Sequence, residues 1–376
     1  MTSSERDRQL PASADEGGLA FACTPLQERF WVQQHARGPQ GLNVAMRWQV
    51  SGTLSHAAAE GALQALVRRH EIMRTSFRET DGKLAQIVWP ACVVKLNDID
   101  LTVLPPEERE RHAEEIARSE AMEPIDLTKP PLLRAAILRL AADHSVLLLT
   151  VHSMIADGWS TGLIVREFSA AAHEIEAGRL PDFAEPELQF VDYALWEKEL
   201  LASADLDEAR AYWKQRLQGV VGTEVPPDHD VAPDTEEQSH LASLLLPTDL
   251  GQAVEGAARR HNVTLFNLAA AALALMLHRV TGEAEIVFGS QVANREEPAA
   301  ADLIGPTVNS VTFCLPVDDR STLHAFVATA AESIQEALRH ERLPFEIAET
   351  FSAGHAGKPL HAVNLVLHRS YSGTTE

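Results

Sequence analysis

Cysteine is scarce in this chain: Cys23, Cys92 and Cys314 are the only three in 376 residues. They are odd in number, far apart and without paired metal-ligand spacing. That excludes a disulfide framework or a cysteine zinc site and leaves reduced structural thiols. Positive charge is also in short supply. Against 54 Asp and Glu stand 32 Lys and Arg, a formal net charge of −22, and such a surface repels nucleic acid and anionic membranes. Long apolar runs are missing. No stretch approaches the roughly 20 residues of a membrane span, and the start, MTSSERDRQLPASADEGG, carries no apolar secretion signal. A cytoplasmic protein is expected, with neither nucleic acid nor membrane as partner. Aromatic residues make up 6% of the chain, yet 45% is hydrophobic, enough at this length for two lobes with sizeable cores.

What is present is a repeated alternation of helix and strand signals. Residues 1–23 are polar at the start and read as a flexible tail. Thr24 then caps a helix with Pro25 at its first position. Apolar residues at helical spacing, Ala58, Ala62, Leu63, Leu66 and Val67, predict a helix over 55–70. Strands are expected at 44–50 and 84–88, an acidic helix at 107–119, and two buried strands at 132–140 and 146–151, rich in apolar and β-branched residues. Helices follow at 161–175, 188–200 and 206–217. The segment 219–237, with Pro226, Pro227 and Pro233 among acidic residues, has the composition of a surface crossing. Beyond it come a strand at 241–246, helices at 250–260 and 265–280, strands at 285–289 and 308–317, a helix at 323–339 and a last strand at 362–367. The pattern is mixed α/β, divided into an N-terminal lobe over 24–177 and a C-terminal lobe over 178–376. Two basic clusters, Arg68-Arg69-His70 and Arg259-Arg260-His261, read as solvated helix ends, with docking of an acidic protein as the alternative.

Seven stretches carry a family resemblance: TPLQERFW at 24–31, RHEIMRTSF at 69–77, VHSMIADGWS at 151–160, FVDYALW at 190–196, IGPTVN at 304–309, RLPFE at 342–346 and PLHAV at 359–363. In this order they resemble the signature stretches of nonribosomal peptide synthetase condensation domains. The resemblance implies two chloramphenicol-acetyltransferase-like lobes in a V with a tunnel between them. It also implies acyl or peptidyl carrier proteins as partners, their small-molecule thioesters arriving on phosphopantetheine arms, and no bound cofactor. The C-terminal lobe looks short for the family, and an exposed sheet edge there would favour a homodimer. At this length the chain is either free-standing or an excised piece.

The third stretch departs from the family at one decisive place. The family has two histidines, three variable residues and Asp-Gly, and the second histidine is its proposed base. His152 matches the first, which resembles a packing residue. Ser153 stands where the base belongs, and a serine hydroxyl has no proton affinity near neutral pH. Asp157 matches an aspartate that fixes the motif loop by pairing with an arginine of the second lobe, for which Arg295 fits; an ordinary helix N-cap is the plainer reading of Asp157. The family usually has glycine before that arginine, and Asn294 is the non-glycine residue that best tolerates a positive φ. Gly158 would admit a substrate backbone, and Trp159 and Asn309 would line the tunnel.

Other chemistries are weaker on the same residues. Ser153 lacks the strand-turn-helix elbow of a serine nucleophile. His152 and Asp157, five apart without a third ligand, do not make a metal site. His340, His361 or His368 would have to intrude to restore a base. Two functions therefore stay open: a condensation-type acyltransferase with an atypical site, forming an amide or ester, or a degenerate member that binds a carrier protein or recruits a tailoring enzyme.

Overall fold

The computed structural model describes residues 17–37, 41–80, 82–229, 242–352 and 359–367. The chain divides into two compact units. The first holds the described residues up to Ser203 together with Arg295–Val308; the second holds Ala204–Asn294 and the described part of Asn309–Ser370. The boundary thus falls after residue 203 instead of 177, and a late segment returns to the first unit.

In the first unit the expected elements form with shifted ends, together with three strands that were not expected, Leu19–Ala22, Thr75–Thr80 and Leu96–Asp100. They are β1 (Leu19–Ala22), α1 (Pro25–Arg37), β2 (Asn43–Ser51), α2 (His56–Arg69), β3 (Thr75–Thr80), β4 (Lys83–Val88), β5 (Leu96–Asp100), α3 (Pro106–Met122), β6 (Leu133–Ala141), β7 (His144–His152), α4 (Gly158–Glu176) and α5 (Phe190–Ala202). A four-stranded sheet runs β2-β7-β6-β5, antiparallel except for the parallel β5–β6 pair. Side chains alternate across its plane. Ile137, Leu147, Leu149 and Val151 point into a core with Ala62, Leu66 and Ile164 from α2 and α4. Their neighbours Ala136, Leu138, Val146 and Leu148 point to the other face, where Ala113 and Ile116 of α3 cover them. Two covered faces explain why β6 and β7 read as near-continuous apolar runs. Each fully buried aliphatic side chain there stabilises by roughly 1.5–3 kcal/mol.

Three strands escaped the sequence pattern. Within β5, Asn97, Asp98 and Asp100 occupy exposed or half-buried places, so an edge strand carries polar residues and loses its apolar alternation. Only the first three residues of β3, Thr75, Ser76 and Phe77, are buried. Residues 19–22, expected in the tail, form β1 and pair antiparallel with β4. Residues 1–16 lie outside the described residues.

The second unit contains α6 (Asp207–Arg216), α7 (Thr248–His261), α8 (Leu265–Thr281), β8 (Glu285–Val292), β9 (Asn309–Pro316) and α9 (Leu323–Arg339). The antiparallel β8–β9 pair brings Val287, Phe288, Phe313 and Leu315 together, with α8 packed on β8 and α9 on β9. The strand expected at 241–246 does not form among the described residues. Residues 242–247 have no ladder partner, and Leu244, Leu245 and Leu246 are exposed. The last expected strand shrinks to one parallel bridge between Gly289 and Asn364. No single described helix is long and apolar enough to cross a membrane. The three cysteines are free thiols, and burial pushes the Cys314 thiol up to about 12, which fits a packing role.

The basic clusters take different paths. His70 and Arg69 turn inward onto the buried Glu167 of α4, His70 Nε2 at 2.7 Å and Arg69 Nε at 3.2 Å, so neither reading of that cluster holds for these two residues. Arg259 and Arg260 are exposed.

Candidate functional site

His152 ends β7 opposite Asn43 of β2. The chain then turns, and the first residue of the turn is Ser153. Its N–H and its hydroxyl both donate to the carbonyl oxygen of Leu42, each at 2.8 Å. The imidazole of His152 is fully buried. Its Nδ1 accepts from the Met154 N–H at 3.1 Å, which assigns the ring proton to Nε2, and Nε2 donates to Gln34 Oε1 at 2.8 Å. Burial lowers its pKa to about 4, so the ring is neutral and both nitrogens are occupied. Gln27 braces the turn from α1: it closes a reciprocal cap with Thr24 and donates to the Met154 carbonyl at 3.2 Å. Gln27 and Gln34 were missed by sequence reasoning. The Thr-x-x-Gln spacing signals the first, and nothing signals the second.

Asp157 makes a helix-capping contact and an arginine contact at once. Its Oδ1 caps α4, accepting from the Ser160 N–H at 2.8 Å and the Ser160 hydroxyl at 2.7 Å. Its Oδ2 accepts from the Thr307 N–H at 3.1 Å, and Arg295 Nη2 lies 3.2 Å from both oxygens. Arg295 also donates to the carbonyls of Ala300, Leu303 and Gly305. The pair is buried, with side-chain exposures of 2% and 4%. Multiple donors and acceptors are what an ion pair needs to tolerate desolvation. Asn294, just before it, has φ 52°, the left-handed conformation that glycine more often supplies. By this clasp residues 295–308 are bound to the start of α4.

Two of the family stretches meet here. Gly305 has φ +153°, and a Cβ on it would lie 2.0 Å from the ring of Phe190, the first residue of α5. Glycine is required by both conformation and space. Gly158 differs: an added Cβ would meet nothing within 4 Å, so the motif glycine leaves open space beside the turn.

Trp159 is 47% exposed. Its Nε1 donates to the Ala301 carbonyl at 2.9 Å, and the Arg295 guanidinium sits 5.8 Å from its ring centre. Asn309, expected as a tunnel residue, is buried and belongs to the second unit. Its amide donates to the carbonyls of Glu341 and Leu343 and accepts from Phe345 N–H. That side chain is spent on holding the 341–345 turn. Arg74 likewise donates to the Val67, Arg68 and Trp89 carbonyls, closing the end of α2. His340 stacks on Tyr212, and His361 stacks on Phe345 and meets Thr312 Oγ1 at 2.8 Å. His368 lies outside the described residues. Among the described residues no group of three metal-ligating side chains occurs.

With this geometry established, comparison with known proteins identifies the family. The condensation domain model matches residues 20–366, and the chain belongs to that family. It is 33% identical over 342 residues to a linear gramicidin synthase of Brevibacillus parabrevis, covering 90% of this chain and 6% of that protein. The chain therefore spans a small fraction of this curated relative. Among solved structures it resembles the X-domain from teicoplanin biosynthesis, with TM-score 0.81, 26% identity, and coverage of 95% of this chain and 78% of that one. The complex of that X-domain with OxyB matches with TM-score 0.78, 26% identity, and coverage of 92% and 75%. These are α/β condensation-type folds, and this chain shares the architecture.

Proposed function

We propose that the domain promotes acyl transfer from a carrier-bound thioester to an amine by holding the reactants together, with no side chain acting as base. The observation that carries this reading is the hydrogen bonding of the motif. His152 is neutral with both nitrogens occupied, and Ser153 Oγ donates its proton to Leu42 and presents only acceptor lone pairs. Such an oxygen can receive an amine N–H and orient the nitrogen, but it cannot remove a proton near neutral pH. The magnitudes allow it. A general base is worth about 10² to 10⁴ in rate, roughly 3–5 kcal/mol, whereas alignment of two reactants supplies about 7–11 kcal/mol. An α-amine with a pKa of about 8 is already substantially unprotonated at neutral pH. The partners are acyl or peptidyl carrier proteins, the substrates their phosphopantetheine-borne thioesters, and no resident cofactor is required.

The test loads donor and acceptor carriers and follows product by intact-protein mass spectrometry for the native chain, Ser153→Ala and Ser153→His. Native and alanine chains form product within about tenfold of each other, and the histidine variant is faster. Product from Ser153→His alone overturns the proposal.

The likeness to an X-domain whose complex with OxyB has been solved favours a second reading, in which the domain recruits a tailoring enzyme and forms no bond. Under that reading the retained Asp157 and Arg295 serve folding alone.

A further inference from the structure

We propose that His261 and His324, in the second unit, form a surface chelate for a divalent first-row transition metal of the copper(II) or nickel(II) kind. His261 is the last residue of α7 and His324 the second of α9. Their Nδ1 atoms lie 3.0 Å apart, with ring centres 5.1 Å apart and planes at 34°. Both helix ends are fixed. Asn262, in the left-handed conformation, closes α7, and the Thr322 hydroxyl caps α9 by accepting from the Ala325 N–H. The two rings are therefore held at one place by separate elements and are open to solvent, His324 exposed and His261 half-buried.

The separation suits a two-nitrogen chelate, for which the affinity order of divalent first-row metals favours copper(II) and nickel(II). At metal–nitrogen distances of about 2.05 Å, nitrogens 3.0 Å apart subtend an angle of about 94° at the ion. That matches adjacent positions of a square-planar or octahedral ion; a tetrahedral zinc would want them about 3.3 Å apart. Imidazole donors also exclude magnesium and calcium, which take oxygen ligands. Without metal the contact is one N–H···N hydrogen bond, one ring protonated on Nδ1 and the other on Nε2. Binding uses both Nδ1 lone pairs, so the Nδ1 proton moves to Nε2 of the same ring, and no proton is lost when both rings are neutral. Arg259 and Arg260 in the same turn of α7 oppose a cation. The carbonyl end of α7 favours one and the N-terminal end of α9 disfavours one, so the nitrogen donors carry the affinity. With no third protein ligand among the described residues, water completes the coordination.

The test titrates the untagged full chain with nickel chloride and copper chloride, alongside His261→Gln and His324→Gln, with magnesium chloride as control. Sixteen histidines are present, so the comparison between variants is decisive. The native chain binds one nickel or copper ion at least tenfold tighter than either variant, and nickel raises its melting temperature but not theirs. Copper electron paramagnetic resonance reports two equatorial imidazoles in the native chain and one in each variant. Equal affinity in native and variant chains, an unchanged copper spectrum, or a magnesium shift matching that of nickel overturns the proposal. Circular dichroism of the metal-free variants, expected to match the native chain at these surface positions, guards against misfolding.

Discussion

At the scale of single residues, Asp157 and Arg295 show how one contact serves two purposes. A carboxylate that both caps α4 and binds Arg295 is costly to remove, because truncation leaves a buried guanidinium without its counter-charge. Asp157→Ala is expected to destabilise the fold by about 3–5 kcal/mol, read by urea denaturation. The two glycines separate in the opposite sense. Gly305→Ala forces a Cβ into Phe190 at an unfavourable φ and should cost about 3 kcal/mol or more. Gly158→Ala meets open space and should leave the denaturation midpoint unchanged; a drop in product formation with unchanged stability would mark the space beside it as the approach of the substrate.

The secondary-structure elements were largely legible in the sequence wherever one periodicity dominated. The buried strands β6 and β7 and helices α2, α4, α8 and α9 follow from apolar runs and from 3.6-residue spacing. The exposed strand β5 did not, since its solvent side is polar, and residues 242–247 carry leucines that have no ladder partner among the described residues. A hydrogen bond to a partner distant in sequence has no local signature, which is why Gln34 beneath His152 and the interlock of Gly305 with Phe190 could not be read in advance. Element ends also bring charge together. Near the end of α8, His278 donates from Nδ1 to the Glu283 carbonyl at 2.6 Å and from Nε2 to Asp319 at 3.1 Å. Both bonds favour the imidazolium and raise its pKa. The stabilisation is then fully present below about pH 6.5 and is lost as pH rises through the higher folded value. The melting temperature of the native chain relative to His278→Gln should therefore shrink between pH 6 and pH 8.5. A difference that stays constant with pH would exclude the ion pair as its cause.

At the scale of the whole molecule, the two units are threaded through each other in sequence. Residues 295–308 leave the second unit after β8, bind Asp157, Ser160 and Trp159 of the first, and return to begin β9. A fragment ending at Ser203 lacks the 295–308 partners of all three residues and is expected to melt well below the full chain; equal melting by calorimetry would deny the clasp its role. This threading also accounts for the family stretches. Arg74, Asp157, Asn309 and the 304–309 segment all have structural duties, so their presence identifies the fold more firmly than the chemistry. The proposed chemistry rests on Ser153 and the neutral His152.

The pH dependence of single-turnover product formation, with loaded carriers and the native chain, tests the proposed base-free site most directly. The predicted rate rises with pH along the free-amine fraction of the acceptor, levels off above its pKa of about 8, and is unaltered in shape by Ser153→Ala. A native profile with an inflection at about pH 6–7 that the acceptor amine does not share, or no product at any pH, would contradict it.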